Sequence, residues 1–291
     1  MLWGSRSTPT STPTSTPTST STPTSTSTLR PPAPRVPVTL LAEQARCARR
    51  PWLARQGIAE RALARGSTQD DPGRATARGT LAHACLSELD LAAPPLQRRA
   101  QLAAVASRRG YDPASKGIRR ILDDVARFLE SPAGRALADE QRRGRLSREV
   151  PFLLRLEAGG LACYVSGAID ALVEQPKEVL VVDYKYALAS PGALERYRGQ
   201  LLAYCVAAAC ARPGLSVRAR LQFLRGSCDA LDLAPTAAEL EAFAREAPAL
   251  AAAAAGGDPP SAPAELGRDP ARCAADGCGY GGACFPVSRV R

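Results

Sequence analysis

Two apolar segments in the middle of the chain each deliver an acidic residue, and the second adds a lysine. The first ends at Asp170 and the second ends in Asp183-Tyr184-Lys185. Because side chains alternate between the two faces of a strand, Asp183 and Lys185 should point to one side and Tyr184 to the other. Two acids and an amine at one place can bind a divalent metal and a water molecule for activation. The pattern therefore predicts metal-assisted hydrolysis.

Three strands are expected to position these residues. They cover residues 148–156, 161–173 and 178–185, with Gly- and Pro-containing turns between them. A helix over residues 192–211 follows and places Tyr197, Gln200 and Tyr204 on one face, at spacings of three and four. A further strand over residues 217–225 and an Ala-rich helix over residues 237–255 complete the pattern. A mixed sheet with helices packed on it is an α/β fold.

The preceding part of the chain is expected to be helical. A helix over residues 38–65 carries Cys47 and is ended or bent by Pro51, and a polar loop follows over residues 66–75. A second helix starts at Arg78 and contains His83, the chain's one histidine. Two or three Ala/Leu/Arg helices fill residues 97–140. Their arginines form either a solvated face or a surface that contacts phosphates, and nothing in the sequence separates the two.

Composition limits the class of protein. The net charge of +10 favours a polyanionic partner such as nucleic acid, and 45% hydrophobic residues are enough for a buried core. Residues 1–34 are rich in Ser, Thr and Pro and are expected to be disordered, although a false start codon would also explain them. No apolar run approaches the roughly 20 residues of a membrane helix, so we expect a soluble cytoplasmic protein. Beyond the tail, we expect a helical region over residues 35–146, a core over 147–256 and a cysteine-containing segment over 257–291.

Four short motifs occur in an order that resembles the RecB-like branch of the PD-(D/E)XK nuclease superfamily. They are Gly79-x-x-x-His83, Gly167-x-Ile169-Asp170, Asp183-Tyr184-Lys185 and Gln200-x-x-x-Tyr204. Each motif alone is weak, because a strand often ends in polar residues and a single histidine on a helix is more often structural. Together they are specific. The resemblance covers residues 38–286 and implies a restriction-endonuclease-like core, in which helices flank a mixed central sheet.

The resemblance also implies roles for individual residues. His83, Asp170 and Asp183 would bind Mg²⁺ or Mn²⁺, together with the backbone carbonyl of Tyr184. Lys185 would orient the attacking water and stabilise charge on the scissile phosphate. Glu149, which lies outside the four motifs, would be a supporting acid or a ligand to a second metal. The helix residues Gln200 and Tyr204 would position DNA or the lysine.

The cysteines carry a second resemblance, to the iron-sulfur subset of these nucleases, which includes AddB-type and CRISPR-associated RecB-like enzymes. The subset holds a [4Fe-4S] cluster with one cysteine upstream of the core and three at the C-terminus. Here Cys47 would join Cys273, Cys278 and Cys284 in a clamp between the two ends of the domain. Zinc on the same four thiolates is the main alternative, and disulfides are not expected in a reducing cytosol. The remaining cysteines are expected to be small core residues: Cys85, Cys163, Cys205, Cys210 and Cys228.

These resemblances imply a metal-dependent DNA exonuclease in recombination and double-strand-break repair. The sequence contains no Gly-x-x-x-x-Gly-Lys-Ser/Thr phosphate loop, so a helicase would be a separate subunit, or the chain would be a detached domain. Two other functions are considered: a CRISPR-associated RecB-like single-strand exonuclease, and a non-catalytic DNA-binding module with a structural cluster. A redox role for the cluster leaves the Asp183-Tyr184-Lys185 strand unexplained.

Overall fold

The structure is a computed structural model that describes residues 32–58, 72–256, 259–275 and 278–285. From Ala33 onward the chain forms one compact unit. The strands are β1 (Arg35–Pro37), β2 (Leu146–Ala158), β3 (Leu161–Glu174), β4 (Glu178–Lys185), β5 (Ser216–Phe223) and β6 (Ala230–Leu233). The helices are α1 (Val38–Arg46), α2 (Arg49–Arg55), α3 (Pro72–Glu88), α4 (Pro95–Arg108), α5 (Lys116–Glu130), α6 (Pro132–Arg142), α7 (Ala193–Ala211), α8 (Ala237–Ala255), α9 (Pro270–Ala275) and α10 (Gly281–Cys284).

The six strands form one mixed sheet. β2 pairs antiparallel with β3 over nearly its whole length, so it occupies one edge of β3. The other edge is shared: β1 pairs parallel with the first half of β3, and β4 pairs antiparallel with its last four residues. β5 then runs parallel to β4, and β6 antiparallel to β5. The shared edge leaves residues 167–170 of β3 between the segments paired with β1 and β4.

Helices cover both faces of this sheet. Val179 and Val181 of β4 pack in a core with α1, α7 and α8, whereas Val182 and Tyr184 pack in a second core with α3, α4, α5 and α6. The alternation along β4 follows from the two-residue period of a strand. The fold-class prediction of a mixed central sheet flanked by helices is therefore confirmed. Within the described ranges, no helix is both long and apolar enough to cross a membrane.

The largest local error of the sequence-based prediction concerns the first helix. The chain leaves the helical conformation at Cys47, which is extended at φ −164°, and a second helix begins at Arg49. Pro51 therefore does not end the first helix but lies in the first turn of α2, where a missing N–H is tolerated. Residues 59–65 of the expected helix and most of the expected polar loop lie outside the described residues. The short strands β1 and β6 were not predicted.

Close packing over the middle of β3 explains why the Gly167-x-Ile169-Asp170 motif begins with glycine. A Cβ atom there would come within 2.9 Å of Val38 Cγ1 and of Phe152 Cε1. Val38 starts α1 directly after β1, and Phe152 is the cross-strand partner of Gly167 on β2. The glycine thus lets α1 and the Phe152 ring close over β3 three residues before Asp170.

Candidate active site

Three acidic residues form a row across three neighbouring strands. The pairs Arg148↔Ala171 and Val150↔Ile169 place Glu149 of β2 opposite Asp170 of β3. On the other side of β3, regular pairing with β4 ends at Ala171↔Val182, one residue before Asp170 and Asp183 would meet. Like charges directly opposite each other destabilise a sheet. A positive charge bound near this row would therefore reduce the repulsion between the acids.

Glu149 departs from strand geometry at this row. Its φ of 49° lies in the left-handed region, which is rare for a residue with a side chain. Burial raises the pKa of Glu149, and the charge of Asp170 raises it further. The carboxylate oxygens of Glu149 and Asp170 and a ring nitrogen of His83 all lie within 4.8 Å of one another. These three side chains are close enough to share one cation.

Asp170 is held by two partners. One oxygen lies 3.2 Å from His83 Nδ1, and the other accepts a hydrogen bond of 2.7 Å from the backbone N–H of Tyr184. Burial lowers the pKa of His83, but the hydrogen bond and the charge of Asp170 outweigh burial, so the pKa is raised overall. The imidazole and the backbone of β4 thus fix the orientation of the carboxylate.

Asp183 is 1% exposed and belongs to a second polar group. Lys185 Nζ lies 2.7 Å from Asp183 Oδ2, and Gln200 Nε2 donates to Asp183 Oδ1 at 3.2 Å. The bond from Gln200 to Asp183 connects α7 to β4, and the same amide nitrogen also donates to Tyr204 Oη at 2.8 Å within α7. Burial raises the pKa of Asp183, and the nearby ammonium of Lys185 opposes that rise.

Aromatic rings surround both groups. Lys185 Nζ lies 4.6 Å from the centre of the Tyr197 ring, which is a cation–π contact. The helical spacing predicted only that Tyr197 shares one face of α7 with Gln200 and Tyr204. The Tyr204 ring meets Phe152 edge-on at 5.8 Å. The Tyr184 side chain points away from Lys185 and packs edge-on with Phe128 at 5.8 Å. The lysine is therefore confined to the Asp183 side of β4.

The charges and donor atoms of the site fit a divalent cation. Glu149, Asp170 and Asp183 carry three negative charges when ionised, and Lys185 offsets one of them. Carboxylate oxygens are the ligands that Mg²⁺ and Mn²⁺ prefer, and they form most of the donor set here. A cavity of about 490 Å³ opens over His83 and Glu149, and Gly79 lines it. Metal and substrate can reach the row from this side.

The structure brings the predicted residues together in a different grouping. The expected ligand set was His83, Asp170, Asp183 and the Tyr184 carbonyl, whereas the tight group is His83, Asp170 and Glu149. Asp183 stands next to it, turned towards its ion pair with Lys185. No single motif carries a sign of this arrangement, because it depends on the register of β2 against β3. Aligning the Glu149 and Asp170 positions across the predicted hairpin could have revealed it.

The four cysteines predicted to bind a cluster lie in one region. Burial raises the pKa of the Cys273 thiol, and the charges of Cys278, Cys47 and Cys284 raise it further, which shows that all three are its neighbours. Cys273 and Cys278 are buried in a small apolar cluster with Leu53 of α2, against which Cys284 packs.

Arginine side chains reinforce the same region. Arg55 of α2 donates to the carbonyls of Ala254 at 2.7 Å and Gly256 at 3.2 Å, at the C-terminus of α8. Arg268 donates to the carbonyl of Arg46 at the end of α1. The contacts join the α1–α2 segment to the C-terminal segment without any metal. Of the five cysteines expected in the core, four are buried, but Cys210 is exposed near the end of α7, which corrects that prediction.

The comparison with protein families agrees with the fold. Residues 36–285 match the family model of the PD-(D/E)XK nuclease superfamily. The chain belongs to the PD-(D/E)XK nuclease superfamily. Its members are nucleases that use divalent metals.

Curated relatives share a shorter segment. The chain is 36% identical over 129 residues to an ATP-dependent helicase/nuclease subunit from Heliobacterium modesticaldum, which is 40% of this chain and 9% of that protein. It is 34% identical over 89 residues to the protein of the same name from Anoxybacillus flavithermus, which is 28% of this chain and 7% of that protein. The chain thus spans less than a tenth of the length of these relatives.

A solved structure is more distant. A presumed exonuclease from Eubacterium rectale aligns with 10% identity and a TM-score of 0.42, over 76% of this chain and 82% of that chain. A likeness at this level carries no functional argument.

Proposed function

We propose that the chain is a divalent-metal-dependent DNA exonuclease that works in recombination and double-strand-break repair beside a helicase. The observation that carries the catalytic part is the row of Glu149, Asp170 and Asp183 with Lys185 beside it. The helicase part is supported by the names of the relatives, which are helicase/nuclease subunits.

In this proposal Glu149, Asp170, Asp183 and His83 hold Mg²⁺ or Mn²⁺, with the Tyr184 carbonyl as a further ligand. The bound metal supplies a more acidic water and offsets charge on the phosphate. Gln200 fixes one oxygen of Asp183 and is itself anchored on Tyr204, so the carboxylate keeps its orientation during the reaction.

Lys185 acts as a fixed cation. Burial lowers the pKa of Lys185, but the charge and hydrogen bond of Asp183 raise it more, so the ammonium stays protonated. A protonated amine cannot remove a proton from water. It orients the water and stabilises the negative charge that develops on the scissile phosphate.

End-labelled DNA tests the proposal. The protein is incubated with single-stranded or duplex DNA and Mg²⁺ or Mn²⁺, alongside Lys185→Ala and the control Lys177→Ala. Lys177 is exposed just before β4, roughly 25 Å along the strand from Lys185. We expect metal-dependent shortening that Lys185→Ala reduces by about 10²–10³-fold and Lys177→Ala leaves unchanged. Binding without cleavage by the wild type, with every metal, would replace the proposal by a non-catalytic DNA-binding module.

Strand preference separates the remaining alternative. A single-strand exonuclease of the CRISPR-associated type would degrade single strands and leave duplex ends intact without any helicase. A repair nuclease that depends on a helicase would degrade duplex ends only when a helicase unwinds them.

We further propose that Cys47, Cys273, Cys278 and Cys284 hold a [4Fe-4S] cluster, with zinc as the alternative. The support is the burial of Cys273 and Cys278 beside Leu53, the packing of Cys284 against them, and the electrostatic interaction of Cys273 with Cys47. The cluster would stabilise the junction of α2 with the C-terminal segment rather than take part in hydrolysis.

A further inference from the structure

A cationic cleft lies between α5 and two loops. It has a volume of about 510 Å³. Its lining comprises Lys116, Arg119, Arg120, Asp123, Asp124, Arg127, Leu188, Arg225 and Gly226. The first six lie on α5, Leu188 follows β4, and the last two follow β5.

The α5 side of the cleft is a single helical stripe. Lys116, Arg120, Asp123 and Arg127 are spaced by three or four residues and therefore share one face. From the first to the last, the stripe is roughly 16 Å long. That length can follow several consecutive phosphates of a nucleic acid strand.

The positive charge of the cleft is largely uncompensated. Five cationic and two acidic side chains line it, a net charge of +3. One acid, Asp124, is buried and already accepts from Tyr186 Oη at 2.9 Å while pairing with Arg127 at 2.9 Å. Within the part of the chain that the structure describes, the Arg119 guanidinium donates to the neutral carbonyl of Ala114 and to no acid. Among the described residues, neither Lys116 nor Arg120 forms an ion pair.

Other surface arginines differ in this respect. Bidentate or close ion pairs join Arg109 to Glu88, Arg212 to Glu174, Arg218 to Glu178 and Arg220 to Asp232. The chain therefore has acids available to neutralise surface arginines, whereas Arg127 is the one cleft cation that forms an ion pair among the residues the structure describes. A concave surface of one sign raises the local concentration of an oppositely charged ligand.

The cleft adjoins the candidate active site through β4. Leu224 N donates to the carbonyl of Lys185 at 3.0 Å, so Arg225 starts next to the catalytic strand. Tyr186, the residue after Lys185, contacts the Arg225 guanidinium across its ring at 5.7 Å. Leu188, two residues further, is 57% exposed. Aromatic and apolar side chains beside cations are typical of surfaces that hold single-stranded nucleic acid.

We propose that this cleft binds the phosphate backbone of the nucleic acid strand whose scissile phosphate lies at Lys185, and this rests on the proposed nuclease function. The cleft holds the part of a single strand that continues past the site. It selects polynucleotides over short fragments, because a fragment of two or three nucleotides leaves the α5 stripe empty.

Salt-dependent binding tests the cleft separately from catalysis. The triple variant Lys116→Gln/Arg119→Gln/Arg120→Gln removes three exposed cations from the cleft. The control Lys177→Gln/Arg99→Gln/Arg245→Gln removes one lysine and two arginines from exposed positions elsewhere. Affinity for a fluorescent 30-nucleotide single strand is measured by anisotropy in EDTA, at several salt concentrations. Each lost phosphate contact makes the negative slope of log affinity against log salt concentration shallower by about 0.7. The slope of the cleft variant should therefore be shallower than that of the wild type by about 2, and the slope of the control should be unchanged.

The outcomes separate the two proposals. Equal slopes for cleft variant and control, or no binding by the wild type, overturn the cleft. Binding that the cleft variant weakens while no DNA is cut with any metal overturns the nuclease function and leaves the cleft standing. If cleavage occurs, the cleft variant should raise the KM for the 30-mer and leave the kcat for a trinucleotide unchanged; a loss of kcat on both would show that the substitutions act on the active site instead.

Discussion

Asp170 and Tyr184 are joined across the opening between β3 and β4, where the Tyr184 N–H donates to Asp170 Oδ2 at 2.7 Å. A side-chain oxygen thus takes the place of a strand-pairing carbonyl just beyond the last regular pair, Ala171↔Val182. Asp170 therefore has a structural role, in addition to its position beside His83 and Glu149 in the candidate metal site.

The two roles of Asp170 can be separated by substitution. Asp170→Asn keeps an oxygen for the Tyr184 N–H but removes the charge, so we expect a folded protein without metal-dependent cleavage. Asp170→Ala leaves the N–H without its acceptor and should lower the free energy of unfolding by about 1–3 kcal/mol. Urea unfolding in EDTA measures the difference. Equal stability of the two variants would contradict the structural role.

Metal should stabilise the native protein. Binding at 100 times the dissociation constant adds about 2.7 kcal/mol, which thermal unfolding with increasing Mn²⁺ will show as a rising Tm. Asp170→Asn should abolish the rise, whereas Glu241→Gln on the exposed face of α8 should keep it. A rise of the same size in all three proteins would indicate a metal site elsewhere.

The ion pair of Asp183 and Lys185 is buried, so breaking it from one side is costly. Lys185→Met should lower the free energy of unfolding of the metal-free protein by about 3–5 kcal/mol. Asp183→Asn/Lys185→Met removes both charges and should recover most of this loss. A double-mutant cycle measures the coupling. Additive effects of the two single substitutions would mean that the pair does not form in solution.

Gly167 has no room for a side chain. Gly167→Ala forces Val38 and the Phe152 ring apart, and overpacking of this kind costs about 1–3 kcal/mol. Gly117→Ala on α5 is the control, since a Cβ atom there would meet nothing within 4 Å and alanine favours helix. Denaturant unfolding compares the two variants. A Gly167→Ala protein as stable as the wild type would show that α1 can move away from β3.

The cysteine cluster predicts a visible absorbance in anaerobically purified protein, with four iron atoms per chain. Cys284→Ser should lose the absorbance and become sensitive to proteolysis near the C-terminus. Cys210→Ser, at an exposed cysteine on α7, should change neither. Zinc in place of iron would correct the identity of the metal but keep the clamp.

Arg55 provides a test of the same junction that does not depend on metal. Arg55→Ala should lower the free energy of unfolding by about 1.5–3 kcal/mol even in a cluster-free protein, because two carbonyls at the end of α8 lose their charged donor. Arg245→Ala, whose partner Glu241 is exposed, serves as control. An effect seen only when the cluster is present would mean that the cluster, and not Arg55, orders this junction.

Most of the fold was predictable because strand and helix periods are local properties. The alternation through Asp183, Tyr184 and Lys185 determined the faces of β4, and the helical spacing of Gln200 and Tyr204 placed both on one side of α7. The Glu149–Asp170 pairing was missed because no single motif contains it; it follows only when the register of the predicted hairpin is counted back from its turn. The break at Cys47 was missed because Pro51 is the stronger local signal. The cleft lining combines α5 with two distant loops, which only the tertiary structure brings together.

In the proposed function, the acids of the row bind the catalytic metal, whereas in the metal-free protein their mutual repulsion lowers the free energy of unfolding. Glu149 holds an unfavourable backbone angle and faces a like charge, and such strain persists only where something else in the molecule requires it. Glu149→Asn, which introduces a neutral residue that tolerates this angle, should make the metal-free protein harder to unfold. Selection of this chain for heat resistance alone would therefore collect substitutions at the row of acids and yield sturdy proteins that no longer cut.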